Sequence, residues 1–375
     1  RIMASKARQL AQSASAPEGR RNLAYNGAMK VAQRGEQTGQ TTGNYTACDR
    51  FKIVETGDTV VTTSQSTDVP SGQGFANSLK IDVTTADASL AASDQFRVEQ
   101  RLEGQDLQHL LYGTSGAKDL TISFWVKSPK TGTHILELRH ADAAYFNNQA
   151  YTIASANTWQ KVTLTFSGYT TTAFDDDNEF SFRFSWFLMA GSNFTSGTLN
   201  SNTWHNTTAN RAVGQVNCVD DAANNFYITG VQLEVGSVAT EFEHRSFGEE
   251  LALCQRYYHR QVRTDTTDAS DPSRFNNTAG IYLGIAQITG ATTGFLSISM
   301  PTTMRTTPTI SQTEVPDISV FPGSNIVLST FSIVAHEMHN VIFVSLGFAS
   351  GGTANDAARV FINTVGSFVD FDAEI

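Results

Sequence analysis

The string His336-Glu337-Met338-His339 brings two imidazoles and a carboxylate within four residues. A metalloprotease helix needs the H-E-x-x-H interval, which puts both imidazoles on one helical face. Here the interval is one residue short, and the surrounding "NIVLSTFSIVAHEM" reads as a strand, in which His336 and His339 point to opposite faces. A surface or interface role suits them better than a metal. The acidic run Asp175, Asp176, Asp177 and Glu179 has oxygens for a cation or for a glycosidase pair. Adjacent acids in a polar turn are, however, the ordinary makings of a solvated loop. Cys48, Cys218 and Cys254 lie far apart, in no C-x-x-C pair and beside no histidine, and read as free, partly buried thiols. No G-x-S-x-G elbow, P-loop or dinucleotide fingerprint occurs. No catalytic residue, metal or cofactor is expected, although a carboxylate pair assembled between subunits stays open.

The chemistry that remains suits sugars, which are held by aromatic rings stacked on their C–H faces, with amide and guanidinium donors at the rim. In "DLTISFWVKS", Leu120, Ile122, Phe124 and Val126 share one strand face, which leaves Trp125 on the other. In "EFSFRFSWFLM", Phe180, Phe182, Phe184, Trp186 and Leu188 form a row, and Arg183 and Phe187 project opposite it. Tyr145, Phe146, Trp204 and His205 fall in expected loops, with Asn147 and Asn148 beside them. Trp125, Tyr145, Phe146, Arg183, Phe187, Trp204 and His205 are therefore the glycan-contact candidates. Each has ordinary packing as its alternative. Trp159 and Trp186 are assigned to the core.

The elements that position these residues follow from composition. The chain has 375 residues, only 17% of them charged, with 24 phenylalanines. Its length suggests two domains, or one large domain with an appendage, and its Thr, Ser, Asn and Gly content suggests many short strands joined by turns. With 36 acidic and 26 basic residues the formal charge is −10. No basic run offers a nucleic-acid stripe, and no apolar run is long enough for a membrane span. The chain opens on Arg rather than Met and is expected to be a fragment of a longer one.

The first residues place Met3, Ala7, Leu10 and Ala14 at stem spacing, the seam of a helix that meets copies of itself. We expect a helical stem over 1–21, a two-sheet antiparallel jelly roll over 22–245, a linking helix over 246–262 and a smaller β domain over 263–375. The fold is therefore mainly β. Within "FYITGVQLEV", Tyr227, Val231, Leu233 and Val235 are expected on one face, around a bulge at Gly230. Ser246 and Glu249 form a capping box for the linking helix. Along it Phe247, Leu251, Cys254 and Tyr258 make an apolar stripe, buried either on its own domain or on copies of itself. "VDFDAEI" reads as a final strand, and the segment 191–225 as a polar loop excursion.

Several stretches resemble bacteriophage tail-fibre and virion appendage proteins of marine podovirus type. They are "NLAYNGAMKVAQRG", "EGQDLQHLLYGTSGAKDLTISFWVKSPKTGTHILELR", "NTWQKVTLTF", "FYITGVQLEVGSVATEFEHRSFGEELALCQRYY" and "FVDFDAEI", with "MPTTMRTTPTI" from the C-terminal part. "NGAMK" and "YITGVQLEVG" also look like the first and last strands of a carbohydrate-binding-module jelly roll. Related modules often hold a structural calcium with acidic residues at places that here read Ala28, Met29, Thr229 and Gly230, so no calcium is assigned. The resemblance implies a non-enzymatic, homotrimeric component of a virion tail fibre or appendage. Its partners would be copies of itself, other tail or virion proteins and a host cell-surface polysaccharide. A structural spacer or head or tail decoration, and a glycan depolymerase with an intersubunit site, are the alternatives.

Overall fold

The structure, a computed structural model, describes residues 20–262, 281–313, 318–321, 326–334, 339–362 and 367–375. The stem positions Met3 and Leu10, the linker 263–280, and His336 and Glu337 lie outside these residues. The chain divides into two compact units, 1–250 and 251–375. Among the described residues no helix is long and apolar enough to cross a membrane.

Among the described residues, eleven strands build the first unit. They are β1 (Gln37–Gln40), β2 (Lys52–Thr56), β3 (Val60–Ser66), β4 (Ser78–Thr85), β5 (Gln95–Glu103), β6 (Leu120–Lys127), β7 (Gly132–His140), β8 (Tyr145–Ile153), β9 (Gln160–Phe166), β10 (Phe180–Ala190) and β11 (Asn225–Val235). Six form one sheet in the order β1-β3-β4-β11-β6-β9, and five form another in the order β2-β5-β10-β7-β8. Their pairings are antiparallel.

Period-2 alternation explains how the layers meet. Leu120, Ile122, Phe124 and Val126 are fully buried, and so are Phe182, Phe184 and Trp186. Phe124 of β6 meets Trp186 of β10 edge-on at 5.3 Å between ring centroids. Each such side chain contributes roughly 1.5–3 kcal/mol by leaving water.

Bulges break the alternation and move residues that a regular strand would place elsewhere. In β10 the pairs Phe180↔Glu103 and Phe182↔Leu102 leave Ser181 as an extra residue. This turns Phe180 out of its expected row. At the other end Phe187↔Arg97 is followed by Met189↔Phe96, so Leu188 is extra and Met189 takes the inward place. In β11 the register shifts between Thr229 and Gln232 around Gly230, whose φ is 62°. Tyr227 therefore lies opposite Lys127, on the other face from Val231, and packs edge-on against Trp159. Trp159 is half-buried rather than in the core, and its indole N–H donates to Asp68 at 2.9 Å.

The excursion after β10 contains a short helix, α1 (Ser192–Thr195), and folds back over the outer face of the five-stranded sheet. After β11, α2 (Phe247–Gln255) begins as its cap predicts, with Ser246 Oγ accepting the N–H of Glu249 at 3.2 Å. It ends earlier than expected. Tyr258 does not continue the stripe but opens strand β12 (Tyr258–Val262), because the aromatic and β-branched residues there find a partner strand. Along α2, Phe247 is exposed, Leu251 half-buried and Cys254 buried.

The second unit comprises β12, β13 (Ile281–Ile288), β14 (Thr293–Ser299), β15 (Thr309–Gln312), β16 (Ile318–Phe321), β17 (Ile326–Ile333), β18 (Val341–Phe348), β19 (Ala357–Ile362) and β20 (Phe368–Asp372). Six close into a barrel in the order β13-β14-β18-β17-β16-β19. The others form a sheet in the order β12-β20-β15, in which Arg260 grips Asp370 with two hydrogen bonds of 2.7 Å. β20 is the final strand expected from "VDFDAEI". His339 lies in the turn before β18.

Candidate functional site

The outer face of the six-stranded sheet carries a groove of about 210 Å³ with Trp125 in its floor. Trp125 stands on β6 between Thr229 and Lys161 in the neighbouring strands. The bulge in β11 opens the space beside it: a Cβ at Gly230 would lie 2.6 Å from Phe75 Cζ and 3.0 Å from Trp125 Cδ1. Phe75 and Phe242 meet edge-on at 5.0 Å, and His244 lies 4.8 Å from Phe242. Trp125, Phe75 and Phe242 are half-buried, while Lys161, Glu241, His244 and Gln73 are exposed. Apolar ring surface thus sits beside a carboxylate, an ammonium, an imidazole and an amide. These groups can stack on a sugar face and hydrogen-bond its hydroxyls.

The other expected contacts lie elsewhere. Tyr145 is half-buried against Tyr169, with ring centroids 5.2 Å apart. Trp204 belongs to the same aromatic cluster: it packs on Tyr169 at 5.2 Å and on Tyr112 at 6.1 Å, and its indole N–H donates to the Ser167 carbonyl at 2.7 Å. Phe146, Arg183, Phe187 and His205 are interior. The excursion covers them, which corrects their expected place at an open surface. Phe146 and His205 exchange backbone hydrogen bonds of 2.7 and 2.9 Å, and His205 Nε2 lies 2.9 Å from Asn148 Oδ1. The Arg211 guanidinium lies 4.2 Å from the Phe146 ring and 5.6 Å from that of Phe187.

Arg183 is tied into a buried ion network. Its guanidinium lies 3.2 Å from Glu99 and 2.9 Å from Glu137. Arg97 and Arg101 also bind Glu99, at 3.0 and 2.7 Å, and Arg211 binds Glu137 at 2.7 Å. Burial opposes ionisation of both acids, but the arginines win. Arg183, Arg97 and Arg101 hold the Glu99 carboxyl down at about 2, and Arg211 and Arg183 hold Glu137 well below the usual carboxylate range.

Sequence reasoning missed Phe75, Phe242 and His244, because they come from segments outside the strands, where no periodicity marks a face. "ATEFEH" alternates aromatic and charged residues shortly after β11, a local signal that could have marked Phe242 and His244. Asp175, Asp176, Asp177 and Glu179 are exposed. Among the described residues no three His, Cys, Asp or Glu side chains converge to hold a metal ion.

No family model matches the sequence, and no curated protein matches it. Solved structures align with part of it. The enzymatically active domain of tailspike protein 4 of bacteriophage CBA120 aligns at 14% identity over 57% of this chain, with a TM-score of 0.31, and the match spans 21% of that chain. A putative sugar-binding protein from Bacteroides thetaiotaomicron aligns at 11% identity over 57% of this chain and 99% of its own, with a TM-score of 0.31. A family 11 carbohydrate-binding module of a Clostridium thermocellum cellulase aligns at 12% identity over 56% and 98%, with a TM-score of 0.27.

Proposed function

We propose that this chain is a non-catalytic, glycan-binding component of a phage tail fibre or virion appendage, that it works as a homotrimer, and that its first unit is a jelly roll of carbohydrate-binding type. The observation that carries the glycan reading is the groove that the half-buried rings of Trp125, Phe75 and Phe242 line together with the exposed Lys161, Glu241 and His244. The virion setting rests on the sequence stretches described above, and the trimer on the stripe at Met3 and Leu10 and on the exposed Phe247. Three copies on one rigid body raise effective concentration, so that weak sites suffice for adsorption to a host polysaccharide.

The test is a glycan array read with the full chain and with Trp125→Ala. Removal of one stacking ring should weaken binding about two- to tenfold per copy, in line with roughly 0.5–1.5 kcal/mol for such a contact, read well below the melting temperature of both proteins because the half-buried Trp125 also packs within the sheet. Equal binding by both proteins would remove Trp125 from the site. Binding to no glycan at all, with virions still carrying the chain, would favour the spacer reading.

A further inference from the structure

The outer face of the five-stranded sheet carries three arginines abreast. Arg183 of β10 lies opposite Arg101 of β5 and opposite Arg139 of β7. Three guanidinium side chains thus leave one face from adjacent strands about 4.8 Å apart, and like charges in directly opposed positions work against pairing. The next row answers with two acids, since Ser185 lies between Glu99 and Glu137. Arg97, Arg101 and Arg183 share Glu99, while Arg183 and Arg211 share Glu137. Glu103, further along β5, receives a hydrogen bond from Gln105. Four guanidinium groups therefore meet two carboxylates, with Arg139 as a fifth in the same row, in a chain whose formal charge is −10.

Arg139 is the unmatched member. Among the described residues no carboxylate lies within ion-pair reach of it, and its guanidinium rests instead 5.6 Å from the Phe146 ring and 5.9 Å from that of Phe180. Its Nε is buried without a hydrogen-bond partner. The same holds for Nε of Arg183, which is 1% exposed, and for Oγ of Ser185, which is 0% exposed. Buried donors are rarely left unmade. Crowding of like charge is visible in the neighbours as well: burial and the nearby Arg183 push Arg97 down to about 10 and also lower Arg139. The row opens to solvent at one end. There the bulge at Ser181 has turned Phe180 outward, half-buried, with the Arg101 guanidinium 4.7 Å and the Arg139 guanidinium 5.9 Å from its ring.

We propose that this arginine row is a second binding site, for the carboxylate of an acidic sugar. The carboxylate is received between Arg139 and Arg101, and the sugar ring lies on Phe180. Arginine presents paired N–H donors that match a planar carboxylate, and the aromatic ring selects a sugar acid over a bare inorganic anion. This assignment rests on the glycan-binding reading, but it uses residues that the Trp125 groove does not contain.

The experiment is calorimetric titration of the full chain with tri-galacturonate and with its methyl ester, at about 50 and about 500 mM salt. It is repeated with Arg139→Gln, Arg139→Lys and Trp125→Ala. The free acid should bind at least about tenfold more tightly than the ester, the expected scale for one charge-assisted arginine contact, and should weaken with salt. Arg139→Gln should lose that preference without loss of melting temperature, because it leaves no acid unpaired, and Arg139→Lys should recover part of it. Equal affinity for acid and ester, no binding of the acid, or acid binding unchanged in Arg139→Gln would overturn the site. None of these outcomes would touch neutral glycan binding through Trp125. Conversely, acid binding that depends on Arg139 but survives Trp125→Ala, with no neutral glycan bound, would support this site and remove the groove.

Discussion

Glu250 receives the backbone N–H of Asn26 on its Oε1 at 2.6 Å, across 224 positions of sequence. Asn26 stands at φ 52°, and its side chain bonds Val31 and Asp49, so this contact fixes the opening "NGAMK" turn against the start of α2. Arg245 completes the clasp at 3.2 Å from Glu250 and 3.2 Å from Glu243. Glu250→Ala would leave a buried guanidinium and a buried N–H without this partner. The expected cost is about 3 kcal/mol or more, read as a lower urea midpoint at unchanged m value.

The ion network predicts acid sensitivity. Glu99 is held at about 2 in the folded chain by Arg183, Arg97 and Arg101, against an ordinary value of 4.5. A depressed folded value gives stability that is present above the ordinary value and lost as pH falls through the folded one. Melting temperature should therefore drop between about pH 4.5 and about pH 2. Glu99→Gln should destabilise at neutral pH and flatten that drop.

Glu55 carries the opposite sign. Burial, together with the nearby carboxylates of Asp94, Asp87 and Asp58, pushes it up to about 7, and its Oε1 is buried without a partner. A raised folded value means stability that is present below the ordinary value and lost as pH rises through the folded one. Glu55→Gln should therefore raise the melting temperature at about pH 8 and change it little at about pH 4. A gain of equal size at both pH values would show that the effect is not ionisation.

Gly230 joins fold to site. A side chain there meets a φ of 62° and a Cβ position 2.6 Å from Phe75 Cζ. Gly230→Ala should cost about 1–3 kcal/mol and also fill the edge of the Trp125 groove. Glycan affinity should fall even at temperatures where the variant is fully folded, which separates the local effect from unfolding.

What could be read in advance followed from alternation. Leu120 to Val126 repeat with period 2 and are buried as a set, and Ser246 with Glu249 announced a helix start that is present. What could not be read came from single inserted residues and from distant cover. The extra Ser181 moves Phe180 to the face that Arg183 occupies, and the shift at Gly230 sends Tyr227 away from Val231. No local pattern reveals that Arg211, distant in sequence, will lie over Phe146 and Phe187. Tyr258 kept a helical spacing to Cys254, yet its strand partner lies more than a hundred residues away in Asp372. Trp125 was legible because its face depends on one regular strand alone.

Phe247 offers the sharpest test of assembly. It is the first residue of α2 and 57% exposed, so little of its ring is buried within one copy, and Phe247→Asp should leave the melting temperature of the isolated chain nearly unchanged. If the ring lies in an interface between copies, the same substitution places a charge where water has been removed. Light scattering at micromolar concentration should then report the mass of one chain for the variant and of three for the parent. A parent that is already monomeric would remove the trimer, and with it the avidity on which adsorption through weak sites depends. A variant that remains trimeric would move the interface away from Phe247, towards the expected stem at Met3 and Leu10, where Leu10→Asp becomes the deciding substitution.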